Sequence, residues 1–294
     1  MRKPFLGRIK GGVLLCDGAM GTQLDAHGLE AGECHEQWNV LHPEKVMQIH
    51  TSYLDAGAEA VLTNTFGGNR WLLERHGLGE KVGELNSAGV KLARSAAGEE
   101  RYVVGDVGPT AEFVFPLGTR KEEEFVEVFG EQVSFLAEGA DAIAIQTMTA
   151  LEELVAAVRA AKETGLPVIG SMAFQPEVPG KGFRTIMGVG IEQMVRRLEE
   201  EGVDALGANC GTVDIADMVR IVRQMRELTS LPILAEPNAG RPRLVDEKTV
   251  FDQTPEVMAE HVRALVEAGA SIVGGCCGTT PEHIRVFAER ISQR

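Results

Sequence analysis

Three cysteines in two short motifs are the residues of this chain best suited to chemistry. Gly207-Ala208-Asn209-Cys210 carries one thiol, and Gly274-Gly275-Cys276-Cys277-Gly278 carries two more, 66 residues further on. Each motif closes a short apolar run, Val203–Leu206 and Ser271–Val273. Thiols at the ends of two strands can converge on one zinc ion. A disulfide between the neighbours Cys276 and Cys277 is disfavoured by the geometry such a bond requires. Both can ligate one metal if the backbone turns between them, and the flanking glycines permit that turn. Three thiolates leave the fourth tetrahedral position of Zn²⁺ open, which marks a catalytic rather than a structural site.

The elements that must position these thiols follow from a recurring phrase. It reads Asp55-Ala56-Gly57-Ala58-Glu59-Ala60-Val61, then Glu138-Gly139-Ala140-Asp141-Ala142-Ile143, then Glu201-Gly202-Val203-Asp204-Ala205-Leu206, then Glu267-Ala268-Gly269-Ala270-Ser271-Ile272. In each, an amphipathic helix ends, glycine caps it, and an apolar strand begins. Strands are predicted near 13–17, 60–65, 102–107, 142–147, 167–173, 205–210, 232–236 and 271–276. Helices are predicted between them, near 43–56, 84–97, 121–138, 150–164, 190–201, 214–228 and 255–268, with a last one at 281–292. Strands this apolar, alternating with helices, imply a parallel sheet covered on both faces. The pattern predicts a single α/β domain over residues 1–294, a (β/α)₈ TIM barrel; a doubly wound open sheet is the alternative. In a barrel the active site sits at the C-terminal ends of the strands. The polar residues there are Asp17, Asn64, Asp106, Gln146, Asn209, Cys210, Glu236, Asn238, Cys276 and Cys277.

The bulk composition narrows the function. With 294 residues, 44% of them hydrophobic, the chain can build a large core. A net charge of −14 argues against nucleic acid as a partner. No apolar run approaches the ~18 residues of a membrane span, and Val13–Cys16 is too short for a signal peptide. Five cysteines in a chain this long do not make a disulfide scaffold. The expected compartment is reducing and cytoplasmic, with thiols free to hold metal.

Taken together, the motifs resemble those of the homocysteine S-methyltransferase family. That family includes betaine–homocysteine methyltransferase and the homocysteine module of cobalamin-dependent methionine synthase. The resemblance runs through Asp17-Gly18-Ala19-Met20-Gly21-Thr22, Thr63-Asn64-Thr65-Phe66-Gly67-Gly68-Asn69 and Gly105-Asp106-Val107-Gly108-Pro109-Thr110. It continues through Ala208-Asn209-Cys210, Pro237-Asn238-Ala239-Gly240 and Gly274–Pro281. It implies a zinc enzyme of methionine biosynthesis, with Cys210, Cys276 and Cys277 as metal ligands. Asn238 is implied as an oxygen ligand in the substrate-free state. Asp17, Gly18, Ala19, Gln146 and Asn209 are implied as substrate contacts. The implied chemistry is activation of homocysteine as a zinc thiolate that attacks an activated methyl group, giving methionine.

One position departs from the family. The homocysteine enzymes carry a glutamate where this chain has Gln146, and that glutamate pairs with the substrate ammonium. An amide forgoes a charge-assisted hydrogen bond, ~1.5–3 kcal/mol against ~1 for a neutral one. Two readings stay open: homocysteine bound through Asp17 and neighbouring carbonyls, or a different thiol or methylated compound. On the sequence alone, Gln146→Glu is expected to tighten homocysteine binding.

The methyl donor is not written in the sequence. A corrinoid, if used, arrives on a separate protein docking at the barrel mouth, on loops 108–121, 174–190 and 238–254, where Lys181, Arg184, Arg241 and Arg243 bring positive charge. A methylated sulfonium or betaine is the other class of donor. A reading of a different kind is a zinc-binding or corrinoid-partner module without turnover; a metal-loaded protein that binds no thiol would favour it.

Overall fold

The computed structural model describes residues 2–177, 182–245 and 248–292. Eight parallel strands form its centre: β1 (Leu14–Leu15), β2 (Ala60–Leu62), β3 (Tyr102–Val107), β4 (Ala142–Met148), β5 (Val168–Met172), β6 (Ala205–Asn209), β7 (Ile233–Glu236) and β8 (Ile272–Val273). Each pairs with its sequence neighbours, and β8 pairs with β1 in the register Leu14–Ile272 and Leu15–Val273. A parallel bridge between Cys16 and Ala60 joins β1 to β2 and closes the ring. The fold is a (β/α)₈ TIM barrel, as predicted.

The expected helices stand between the strands, at Pro43–Asp55, Val82–Ala97, Glu122–Leu136, Leu151–Lys162, Ile191–Glu201, Ile215–Leu228, Pro255–Glu267 and Pro281–Ser292. Their starts carry readable signals. Proline opens three of them, where the missing N–H costs nothing. Asp214 caps another by accepting from the Asp217 amide. Gly202 ends Ile191–Glu201 in the left-handed conformation.

Strand residues alternate between two environments, as a period of two requires. Leu15, Val61, Val103, Ile143, Leu206 and Val273 join the layer under the helices. Leu14, Ala60, Val104, Ala144, Ala205 and Ile272 fill the barrel interior. Phe5 and Ile9 join that inner cluster from the short helix Phe5–Lys10. Following the inner columns toward the strands' C-terminal ends, apolar gives way to polar: Val104 to Asp106, Ala144 to Gln146, Ile169 to Ser171, Leu234 to Glu236. The interior is therefore an apolar plug with a polar upper layer, and that layer is the floor of the site.

One buried group in the helical layer carries a pH prediction. His50, within Pro43–Asp55, is fully buried and neither ring nitrogen has a hydrogen-bond partner. Burial lowers its pKa to about 4. Above pH ~6.5, the ordinary histidine value, both folded and unfolded chains are neutral there. As pH falls from that value toward 4, the unfolded chain takes a proton that the folded one refuses, so stability is lost. Stability at pH 5 should be lower than at pH 7.5 by ~2 kcal/mol from this residue. His50→Leu should remove that part of the acid sensitivity, as read from urea midpoints of both proteins at the two pH values.

Candidate functional site

The three cysteines meet at the strand ends. The Sγ atoms of Cys210, Cys276 and Cys277 all lie within 4.8 Å of one another. Cys210 follows β6 with a φ of +54°, and Gly211 continues the turn at +76°. The backbone on the other side is tied down just as closely. Cys276 N donates to Pro237 O at 2.9 Å, and Ala239 N donates to Cys277 O at 2.9 Å. Thr279 anchors the motif twice, donating from its hydroxyl to Cys276 O at 2.7 Å and accepting from Ala19 N at 3.0 Å. Tyr53 donates its hydroxyl to Ala19 O at 2.8 Å. The thiols are thus held by backbone bonds from β1, β7 and β8 together.

The thiols behave as one group. Hydrogen bonds from Cys276 and Cys277 lower the pKa of Cys210, and the same contacts raise that of Cys276. One thiolate shared among three sulfurs is a soft donor set suited to zinc. Asn238 stands beside it. Its Nδ2 donates to Gly211 O at 2.9 Å, while its buried Oδ1 has no hydrogen-bond partner. An orphaned buried acceptor next to three thiols fits a fourth, oxygen ligand.

The thiols form one wall of a cavity of about 320 Å³ at the barrel mouth. Asp17, Gly18, Ala19, His35, Glu36, Asn64, Asp106, Gln146 and Glu236 are among the residues that line the rest, with Leu62 and Phe66 as apolar walls. Among the described residues that line it there is no lysine or arginine. Burial pushes the carboxyls of Asp17 and Asp106 well above the usual range, and the neighbouring Glu236 raises both further. Burial raises Glu236 to about 7, against the opposing hydrogen bonds from Gln146 and the Cys16 thiol. Four acids, Asp17, Glu36, Asp106 and Glu236, line a cavity that has no lysine or arginine among its described residues, and such a pocket favours a cation.

The residues expected as substrate contacts divide into two groups. Gly18, Ala19 and Gln146 line the cavity, although Ala19's amide is already bound to Thr279. Asp17 also lines it, but its Oδ2 accepts from Leu62 N at 3.0 Å. That bond continues the β1–β2 seam beyond the Cys16–Ala60 bridge, so Asp17 is part of the barrel's closure. Asn209 is not among the residues that line the cavity. Its Oδ1 accepts from Thr147 N at 2.8 Å and Ser171 Oγ at 2.6 Å, and its Nδ2 donates to Thr147 Oγ1 at 2.7 Å. The amide is consumed in holding β4, β5 and β6 together. It pins Thr147 at a φ of +59°, a conformation a β-branched residue adopts only under constraint. The register of β4 against β5 shifts at this point. A bulge of this kind re-aims the adjacent side chain, here Gln146.

The aim of Gln146 is the feature the sequence could not show. Its Nε2 donates to Glu236 Oε2 at 2.5 Å. A glutamate at position 146 would therefore lose a donor and face a second carboxylate. The expected positive patch at the mouth is also not free. Arg184 pairs with Glu177, Arg241 with Asp217 and Arg243 with Asp252; Lys181 lies outside the described residues.

Known proteins match this architecture. A family model described as homocysteine S-methyltransferase covers residues 14–291. Methionine synthase from Mycobacterium leprae is 34% identical over 96% of this chain, and that from Mycobacterium tuberculosis 35% over 95%. The chain spans about a quarter of the length of these relatives, 24% and 25%. Among solved structures, the metallated form of the homocysteine methyltransferase MmuM from Escherichia coli superposes with a TM-score of 0.76 at 25% identity, covering 95% of this chain and 96% of that one. Its oxidised form gives 0.79 at 25% identity, with 98% and 100% covered. With its cysteine motifs, its barrel and these matches in agreement, the chain belongs to the homocysteine S-methyltransferase family.

Proposed function

We propose that this chain is a thiol methyltransferase module whose acceptor is homocysteine and whose product is methionine. The observation that carries the reading is the convergence of Cys210, Cys276 and Cys277 within 4.8 Å on one wall of an acidic cavity. These three residues would hold zinc, with Asn238 Oδ1 as the oxygen donor in the absence of substrate. Zinc, when bound, would lower the pKa of a substrate thiol from about 8.5 so that it reacts as a thiolate near neutral pH. The chain's own residues do the rest. The carboxylates attract the ammonium end of the substrate, and Leu62 and Phe66 wall off water. Methyl transfer forms a sulfur–carbon bond as the bond between the methyl group and its leaving group breaks, and the thiol proton is released to solvent. No side chain has to act as a base at that moment.

The test is calorimetry of homocysteine binding to the zinc-loaded protein, with Cys210→Ala as control. Micromolar binding with proton release, lost in the control, is expected. One zinc per chain with no binding at millimolar homocysteine would overturn the reading in favour of another thiol or a module without turnover. Five free cysteines support a reducing, cytoplasmic setting; among the described residues no helix is long and apolar enough to cross a membrane.

For the methyl donor, one observation favours a protein carrier such as a corrinoid protein. The rim of the mouth is apolar and exposed: Phe113, Phe115 and Leu117 after β3, Ile186 after β5, and Leu244 and Val245 after β7. Solvent-facing apolar groups clustered on loops around a site mark a docking surface. Phe115→Ser with Leu117→Ser should slow methyl transfer from a methylated corrinoid protein by ~10-fold or more, two apolar anchors being lost. Transfer from free methylcobalamin should not change. Equal slowing of both donors would place these residues in the site itself.

A further inference from the structure

Glu236 occupies a place that no other acid in the cavity shares. It ends β7, between the strand that carries Cys210 and the strand that leads to Cys276 and Cys277. It is 2% exposed. One of its carboxylate oxygens is fixed by Gln146 Nε2 at 2.5 Å; the other has no N–H or O–H donor, and the weakly donating Cys16 thiol, itself 3.6 Å from Asp17 Oδ1, is the other group facing the carboxylate. Asp17, by contrast, accepts from the Leu62 amide and the Cys16 thiol, and Glu36 accepts from the Gly67 amide and the Cys34 thiol. Asp106 also has an unpartnered oxygen, but it sits on β3, away from the cysteine strands.

A buried carboxylate oxygen with no donor is unfavourable unless something brings one. Here the cavity opens onto it, no lysine or arginine lines that cavity among the described residues, and the thiols stand at the ends of the neighbouring strands. A ligand bound by its sulfur at the thiols and carrying an ammonium a few bonds away would supply the missing donor. We infer that Glu236 is the ammonium anchor for an amino-acid thiol, and that Gln146 is a positioning residue that orients its carboxylate. This rests on the reading that the substrate is such a thiol. The division of labour also explains the amide at 146. A glutamine can donate to Glu236, and a glutamate cannot.

The experiment compares homocysteine with 4-mercaptobutyrate, which lacks only the amino group, by calorimetry on zinc-loaded protein. The wild type should prefer homocysteine by at least ~10-fold, the value of a charge-assisted bond over a neutral one. Glu236→Gln should lose that preference while keeping one zinc per chain and its affinity for 4-mercaptobutyrate. Gln146→Glu alone should bring no gain, because it sets two carboxylates against each other. The exchange of both, Gln146→Glu with Glu236→Gln, keeps the pair's hydrogen bond and charge and should retain the preference. If Glu236→Gln does not fold, the exchange decides: retained preference supports the assignment and lost preference overturns it. A wild type that prefers homocysteine, with Glu236→Gln preferring it equally, overturns this assignment alone. So does a wild type that binds both thiols equally. A wild type that binds zinc but neither thiol overturns the functional reading and this inference together.

Discussion

Cys276→Ser is expected to abolish zinc retention and methyl transfer while leaving the barrel folded. Serine keeps the shape of the side chain but replaces a soft sulfur donor with a hydroxyl that does not ionise near neutral pH. Changes to residues behind a ligand already cost ~10–100-fold in metal affinity or activity, so removal of a ligand should exceed ~100-fold. The backbone bonds that hold position 276, from its own amide to Pro237 O and from Thr279 N to its carbonyl, do not involve the thiol. Loss of thermal stability in the metal-free protein should therefore stay within ~1 kcal/mol. Zinc content per chain, with circular-dichroism melting of the metal-free forms, separates the two effects. A variant that keeps one zinc and full turnover would remove Cys276 from the ligand set.

Gly211→Ala should be the most damaging substitution that touches no side chain of the site. Gly211 has a φ of +76°, and a Cβ there would sit 2.1 Å from Phe174 O and 3.0 Å from Phe174 N. Both obstacles are backbone. They cannot swing aside, because Phe174 O also accepts from Thr212 N at 3.2 Å. The left-handed conformation alone costs ~1–2 kcal/mol for an L-residue. The clash raises the total to ~3 kcal/mol or more, and its relief must move the residue next to Cys210. Lower stability and weaker zinc binding are expected together. Gly77→Ala is the control: its φ is +69°, but nothing lies within 4 Å of the new Cβ. It should show the conformational cost alone, with zinc binding intact. Equal effects in denaturant melts would refute the clash argument.

The barrel was legible because its signals are local and repeated. A glycine after most of the amphipathic helices, with an apolar run beyond it, places most of the eight strands within a few residues; the helix Ile215–Leu228 ends at Thr229 without one, and there the apolar run alone marks the strand. The strand ends then followed, and most of the polar residues found there do line one cavity. What the sequence hid were relations across the ring. The bond from Gln146 to Glu236 links β4 to β7, and neither residue announces the other. Asn209, expected as a substrate contact from the family resemblance, has its amide engaged by Thr147 and Ser171, which only the curvature of the sheet brings near. Asp17 carries a second duty for the same reason, since the seam it completes exists only once the ring closes. The short helix Phe5–Lys10, with just two inward apolar residues, gave too brief a period to read.

The two-residue strand that closes the ring also sets an order of events during synthesis. β1 has its partner on the far side only when Ile272 and Val273 exist, and Cys276 and Cys277 follow within four residues. A nascent chain that has not yet exposed those residues lacks the β1–β8 seam even though Cys210 has already been made. It can neither seal the barrel nor complete the thiol trio until the last strand emerges. Closure and metal competence arrive as one late step, so a chain truncated before that strand would leave the ribosome with neither.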